Sequence, residues 1–136
     1  MRLRKLIAAA GIATTVAGFG LASAGEASAI NYDCSSGQVC LYYNSSGSGY
    51  NAVFKQTSNI SDYANYYFSA GNNGSAGAGV SVKNNAAAVD SWYSGTFTVY
   101  YNSGYNCSVA CQNIGSLATV DLNSSLKNNN ASGKFN

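Results

Sequence analysis

The chain has 136 residues, of which 46% are hydrophobic and 9% charged, with a formal net charge of +2. Three of its seven basic residues, Arg2, Arg4 and Lys5, lie at the extreme amino terminus. Beyond residue 29, Lys55, Lys83, Lys127 and Lys134 balance Asp33, Asp62, Asp90 and Asp121. So even a balance gives no electrostatic drive toward nucleic acid or an anionic membrane, and solubility falls to the many Asn, Ser and Gly residues.

In chain order, the basic start is followed by an apolar run from Leu6 to about Leu21 and then by the small residues of "GEASA". This is the pattern of a secretory signal peptide over residues 1–29, cleaved after Ala29, with Ala24 as second choice. The run is shorter than the ~20 apolar residues of a spanning helix, so no membrane anchor is expected. Cleavage leaves 107 residues, 30–136, a length suited to one small domain.

The stretch "QVCLYYN" (38–44) alternates Val39, Leu41 and Tyr43 against Cys40 and Tyr42, the period-2 pattern of a strand. A second such stretch, "TFTVYYN" (96–102), alternates Phe97, Val99 and Tyr101 against Thr98 and Tyr100. Weaker strand candidates are 51–55, 65–69, 79–83 and 118–122, while "SAGNNGSAGAGV" (69–80) reads as a low-complexity surface loop. Helix signals are almost absent and proline is absent, so the class is all-β. Both strong strands run into a tyrosine–glycine turn, "YYNSSGSGY" and "YYNSGY". Each is followed later by an Asn-Asn-Ala stretch, 84–89 and 128–133, which predicts two related Greek-key units in one domain.

Catalytic chemistry is thin. Histidine is absent, which removes His-based triads, Cys–His dyads and the HExxH zinc site. No glutamate follows Glu26, and the four aspartates are scattered at turn-like positions, so a two-carboxylate glycosidase survives only if the fold gathers them. Ser124-Ser125-Leu126-Lys127 fits S-x-x-K, but without the helix and companion motifs of serine acyl enzymes. The expectation is a protein with no catalytic residues and no cofactor.

The four cysteines are spaced C-x5-C (Cys34, Cys40) and C-x3-C (Cys107, Cys111). An exported chain meets oxidising conditions, where thiols pair, and neither spacing is that of a paired zinc motif or a C-x-x-C redox site. No metal is expected. Three pairings are possible. A bridge from Cys34 to Cys107 would constrain the unfolded chain by ~4.5 kcal/mol, against ~2 kcal/mol for closing 107–111. Closeness along the chain favours the local pairs, and a small ring fixes the shape of a loop more than it staples a fold.

At these residues the sequence resembles the secreted Streptomyces metalloproteinase inhibitor and its crystallin-like relatives. The resemblance rests on a C-x-x-G-x-[LV]-C-x-Y pattern at Cys34–Tyr42 and on an FT[LV]xY strand, Phe97-Thr98-Val99-Tyr100-Tyr101, with a short cysteine loop soon after it. It touches about a quarter of the mature chain. The resemblance implies a βγ-crystallin-like sandwich of two Greek keys with local disulfides Cys34–Cys40 and Cys107–Cys111. It further implies inhibition of thermolysin-like metalloproteinases, with a secreted protease as partner, and a reactive loop comprising Cys107, Ser108, Val109, Ala110 and Cys111. In that family a large apolar residue directly follows the first cysteine of the loop. Here the loop is one residue shorter and Ser108 stands in that place, with Val109 next. Either Ser108–Val109 is the presented bond or the loop lacks the activity. The alternative reading is a non-catalytic binding or toxin-like module of the same fold, using its eleven tyrosines and Asn-rich turns on cell-wall sugar or a partner protein. Calcium ligation at Asn128–Gly133 or Asn84–Val89 is not expected to be tight, because neither stretch supplies a carboxylate. The mature protein is expected to be a secreted monomer.

Overall fold

A computed structural model describes residues 29–136; the leader expected over 1–29 falls, but for Ala29, outside the described residues. The described residues form eight strands: β1 (Val39–Tyr42), β2 (Asn51–Gln56), β3 (Ser69–Asn73), β4 (Ala88–Ser91), β5 (Phe97–Asn102), β6 (Asn106–Ile114), β7 (Thr119–Asp121) and β8 (Ser132–Phe135). They form two sheets, ordered β3-β2-β1-β4-β7 and β6-β5-β8, with antiparallel pairing throughout. Among the described residues, helix is confined to two single 3₁₀ turns, Ser46–Ser48 and Tyr63–Asn65.

The connections interlock the two halves. The β1–β2 hairpin lies in the first sheet, after which Ile60 bridges Gly133 of β8 in the second sheet. The β5–β6 hairpin lies in the second sheet, after which β7 crosses to pair with β4 in the first. Each half thus lends one strand position to the other's sheet. The main core lies between the sheets and draws on both: Val39, Leu41 and Val89 from the first, Phe97, Val99 and Ile114 from the second.

The internal likeness expected from the sequence has structural content. Both hairpin turns end in a tyrosine with left-handed backbone, Tyr50 (φ 59°) and Tyr105 (φ 58°). Each packs edge-on against a tyrosine of the preceding strand, Tyr42–Tyr50 at 5.3 Å and Tyr100–Tyr105 at 5.9 Å. The Asn-Asn-Ala stretches begin at Asn84 (φ 62°) and Asn128 (φ 60°). Their backbones exchange bonds, Asn84 N–H to Asn130 O at 2.7 Å and Asn128 N–H to Ala86 O at 2.8 Å.

Several expectations are corrected. The alternation in β1 is present, but both of its faces are buried: Val39 and Leu41 enter the main core, while Cys40 and Tyr42 join Cys34, Tyr50, Val53 and Ala88 in a second cluster against which Ile30 and Trp92 pack. Residues 65–68 and 79–83 form no strand of their own: they meet at the isolated bridge Tyr67–Ser81 and through backbone bonds from Phe68, Gly79 and Val82, while Ser69 opens β3. There the Asp62 carboxylate accepts from the Ala64 N–H at 3.0 Å and caps the 3₁₀ turn that buries Tyr63. The expected loop 69–80 opens with β3, because Asp33 reaches across to it, accepting from the Asn72 N–H at 2.9 Å and from Asn73 Nδ2 at 3.1 Å. The strands β4, β6 and β8 lie outside the sequence candidates. Their residues (AVDS, NCSVACQNI, SGKF) lack a run of β-branched or aromatic side chains, and long-range pairing rather than local propensity makes them strands.

Candidate functional site

Cys107 and Cys111 are bonded to each other, as are Cys34 and Cys40, and among the described residues no cysteine is free. Their surroundings differ. Cys40 is fully buried and Cys34 nearly so, whereas Cys107 is exposed.

The 107–111 ring is not the hairpin tip. It lies within β6, one residue beyond the turn. In the ladder Tyr100 faces Cys111 and Asn102 faces Asn106, so Tyr101 alone stands opposite the four residues Cys107 to Ala110. An extended chain would carry Cys111 ~13 Å from Cys107; their Cα atoms are 5.1 Å apart. The intervening residues therefore buckle out as a bulge, and the disulfide closes its base. Because β6 is an edge strand, nothing in the sheet covers that side.

The ring is held at both ends. Before it, the Gly104 N–H donates to Ser61 O at 2.7 Å, while Gly104 itself takes a left-handed φ of 72° that suits glycine. The Ser132 hydroxyl donates to Asn102 O at 2.7 Å and accepts from the Tyr105 N–H at 3.2 Å. After it, Gln112 accepts from the Asn123 N–H at 2.8 Å, and Ala110 packs on the main core. Within the ring the Ser108 N–H donates to Asn106 Oδ1 at 2.8 Å, and Asn102 Nδ2 donates to Ser108 Oγ at 3.2 Å. Val109 is 63% exposed. A pre-ordered backbone with one projecting apolar side chain is the result.

The other residues singled out from sequence have structural tasks. The fold does not gather the four aspartates into a catalytic pair with open access. Asp33 holds β3 and accepts from Tyr42 OH at 3.2 Å. Asp62 caps its turn and pairs with Lys83 at 3.0 Å. Asp121 accepts from the N–H and hydroxyl of Ser46, at 2.8 and 2.6 Å, joining the second half to the first. Asp90 is not in a turn but in buried β4, where its carboxylate accepts from Trp92 Nε1 at 3.0 Å and Thr119 Oγ1 at 2.8 Å. Burial pushes the Asp90 carboxyl above the usual range, against those two bonds. Of the S-x-x-K string, Leu126 is wholly buried and Lys127 Nζ is 3.2 Å from Ser45 Oγ. Among the described residues no three His, Cys, Asp or Glu side chains converge as a metal would need. Asn130 of the crystallin-type stretch is fully buried, its side chain accepting from the Ala86 N–H and donating to Val82 O, each at 3.0 Å.

Sequence reasoning did not single out Asn102 and Asn106. Asn106 carried a signal, since Asn followed two residues on by a free N–H is the Asx-turn arrangement. Asn102 reaches Ser108 only through the bulge register and carried none. Also unanticipated is a groove of two adjoining depressions, of about 220 and 630 Å³, that share Trp92 and Leu117, the larger reaching Phe135 of β8. Tyr32 meets Trp92 edge-on at 5.5 Å, and Leu117 is 71% exposed at φ 52°.

No protein-family model matches the chain, and no curated protein does. Among solved structures it is similar to a chain determined in work on the evolution of the eye-lens βγ-crystallin domain fold. The TM-score is 0.55 with 13% sequence identity, over 78% of this chain and 91% of that one. With the strand exchange between its two sheets, this gives the chain a βγ-crystallin fold. The two local disulfides, one of them buried, fit an oxidising environment.

Proposed function

We propose that the chain is a secreted, monomeric, non-enzymatic inhibitor of a thermolysin-like metalloproteinase, with Cys107–Cys111 entering the protease cleft as a substrate would and Val109 filling its apolar pocket. The observation that carries this reading is the disulfide-closed bulge on an open edge strand, with the Val109 side chain exposed. A loop ordered before binding loses little conformational entropy on docking, so few contacts suffice for tight association. The Ser108–Val109 bond then occupies the position of the bond to be cut, and the disulfide retains both ends if it is. No cofactor, nucleic acid or membrane enters this reading.

The test is titration of the purified mature protein against a thermolysin-like protease, with Val109→Gly alongside. Stoichiometric inhibition that the substitution abolishes is the expected result. Absence of inhibition at micromolar excess overturns the proposal. A second reading, a non-catalytic module that binds cell-wall polysaccharide, draws on the Tyr32–Trp92–Leu117 groove, since aromatic faces and polar rims suit sugar rings. Retention on cell wall that Trp92→Ala removes, without protease inhibition, would favour it.

A further inference from the structure

We infer that Asn102 and Asn106 are positioning residues that hold Ser108 in place across the reactive bond, so that a cut ring stays set to reseal; this rests on the inhibitor reading above. The two side chains occupy the last rung of the β5–β6 ladder, directly opposite one another. From that rung they grip Ser108 twice. Asn106 Oδ1 accepts its N–H at 2.8 Å and Asn102 Nδ2 donates to its Oγ at 3.2 Å. The rung itself is fixed, because the Ser132 hydroxyl bonds Asn102 O and Gly104 N–H bonds Ser61 O. On the far side of the bond, Ala110 rests on the core and Cys111 rejoins the ladder opposite Tyr100.

These bonds matter most once the ring has been hydrolysed. Cutting Ser108–Val109 breaks the C–N bond. The oxygen of one water goes to the Ser108 carbonyl carbon, forming a carboxylate, and its two protons convert the Val109 nitrogen to an ammonium. Resealing returns that water. The disulfide prevents the ends from separating, but it leaves the Ser108 end free to swing about the bonds between Cys107 and its new terminus. The two asparagine bonds remove that freedom and keep the carboxylate beside the amine at high effective concentration. They are worth roughly tenfold or more in the ratio of intact to cut ring, from the usual strength of two such bonds. Asn106 is exposed and Asn102 is partly so, and the Asn102 carbonyl bond to Ser132 does not depend on its side chain. Truncating them leaves the fold in place.

The experiment incubates wild type, Asn102→Ala/Asn106→Ala and Asn106→Asp with thermolysin, monitoring inhibition and the cut-to-intact ratio by mass. Amide hydrogen exchange of the free proteins is measured in parallel. The double variant is expected to inhibit on mixing and then lose inhibition as its cut fraction rises about tenfold over wild type. Its Ser108 N–H exchanges faster, while the ladder amides of Thr98 and Val99 do not change. Asn106→Asp, which keeps the acceptor oxygen and leaves Asn102 in place, is expected to persist nearly as long as wild type. A double variant as persistent and as intact as wild type overturns the inference while leaving the inhibitor reading standing. Wild type that never inhibits overturns both, and faster Ser108 exchange would then mark the asparagines as purely structural.

Discussion

The backbone N–H of Asn84 donates to the carbonyl oxygen of Asn130 at 2.7 Å, and the Asn130 side chain answers by accepting the Ala86 N–H and donating to Val82 O, each at 3.0 Å. One wholly buried side chain thus satisfies two backbone groups of the opposite half. Asn130→Ala strands both in a dry core, where an unpaired buried group costs ~1–3 kcal/mol. A loss of about 2–4 kcal/mol is expected in urea unfolding. A loss under 1 kcal/mol would mean that the Asn130 side chain adds little to the joining of the halves.

Gly133 is a second point of contact between the halves. Its N–H and C=O both bond to Ile60 at 3.0 Å, Gln56 Nε2 reaches its carbonyl at 3.1 Å, and Tyr63 OH holds Gln56 Oε1 at 2.6 Å. A Cβ here would overlap the Tyr63 hydroxyl and the Phe97 ring. Both rings are fully buried, so neither can move aside cheaply. Gly133→Ala is expected to destabilise by ~3 kcal/mol or more, in the range of overpacked cores. Thermal unfolding of the variant checks it, and an unchanged midpoint contradicts the close packing of β8 on Tyr63.

These two features separate what was legible in the sequence from what was not. The period-2 stretches marked β1 and β5, and the paired tyrosine turns marked the equivalent hairpins, because local alternation and turn chemistry are written residue by residue. The partner of a residue 40 or more positions away is not. Asn130 looks like any Asn in a polar run, and Gly133 like any turn glycine, until the Ile60 crossing sets Tyr63 against it. The strand β6 was missed for a related reason: its bulge breaks the alternation that would have announced it. The ring's composition was legible, but its place on an open edge, and its tie to Asn102, depend on register.

The two disulfides should contribute differently. Closing the rings at 34–40 and 107–111 constrains the unfolded chain by about 2 kcal/mol each. The first pair also fills the buried cluster with Tyr42, Tyr50 and Val53, while the second stands largely in solvent. Cys107→Ser/Cys111→Ser is therefore expected to cost about 2 kcal/mol and to remain folded by circular dichroism. Cys34→Ser/Cys40→Ser adds the penalty of buried polar groups, ~1–3 kcal/mol for each unsatisfied hydroxyl, and is expected to lose more than the other pair. Equal losses would contradict the difference in burial.

Asp90 sets a pH dependence of unusual sign. Burial raises its folded-state carboxyl above the ordinary value of about 3.9, so between that value and its folded one the native state holds a proton that the unfolded state has lost. Stability therefore falls as pH rises through this window, because the ionised carboxylate must sit in a nearly dry strand with no ion pair to a cation among the described residues. Asp62 works the other way: its turn bond and Lys83 lower its carboxyl, so its stabilising effect is present above the ordinary value and fades on acidification through the lowered one. Asp90→Asn separates the two. Its Oδ1 can accept from Trp92 Nε1 and its Nδ2 can donate to the Thr119 hydroxyl, keeping both contacts without the charge. The variant is expected to equal wild type near pH 4 and to exceed it at pH 7, in urea midpoints taken across that range. A variant less stable than wild type at pH 7 would show that the carboxylate gains more from its two hydrogen bonds than it loses to burial.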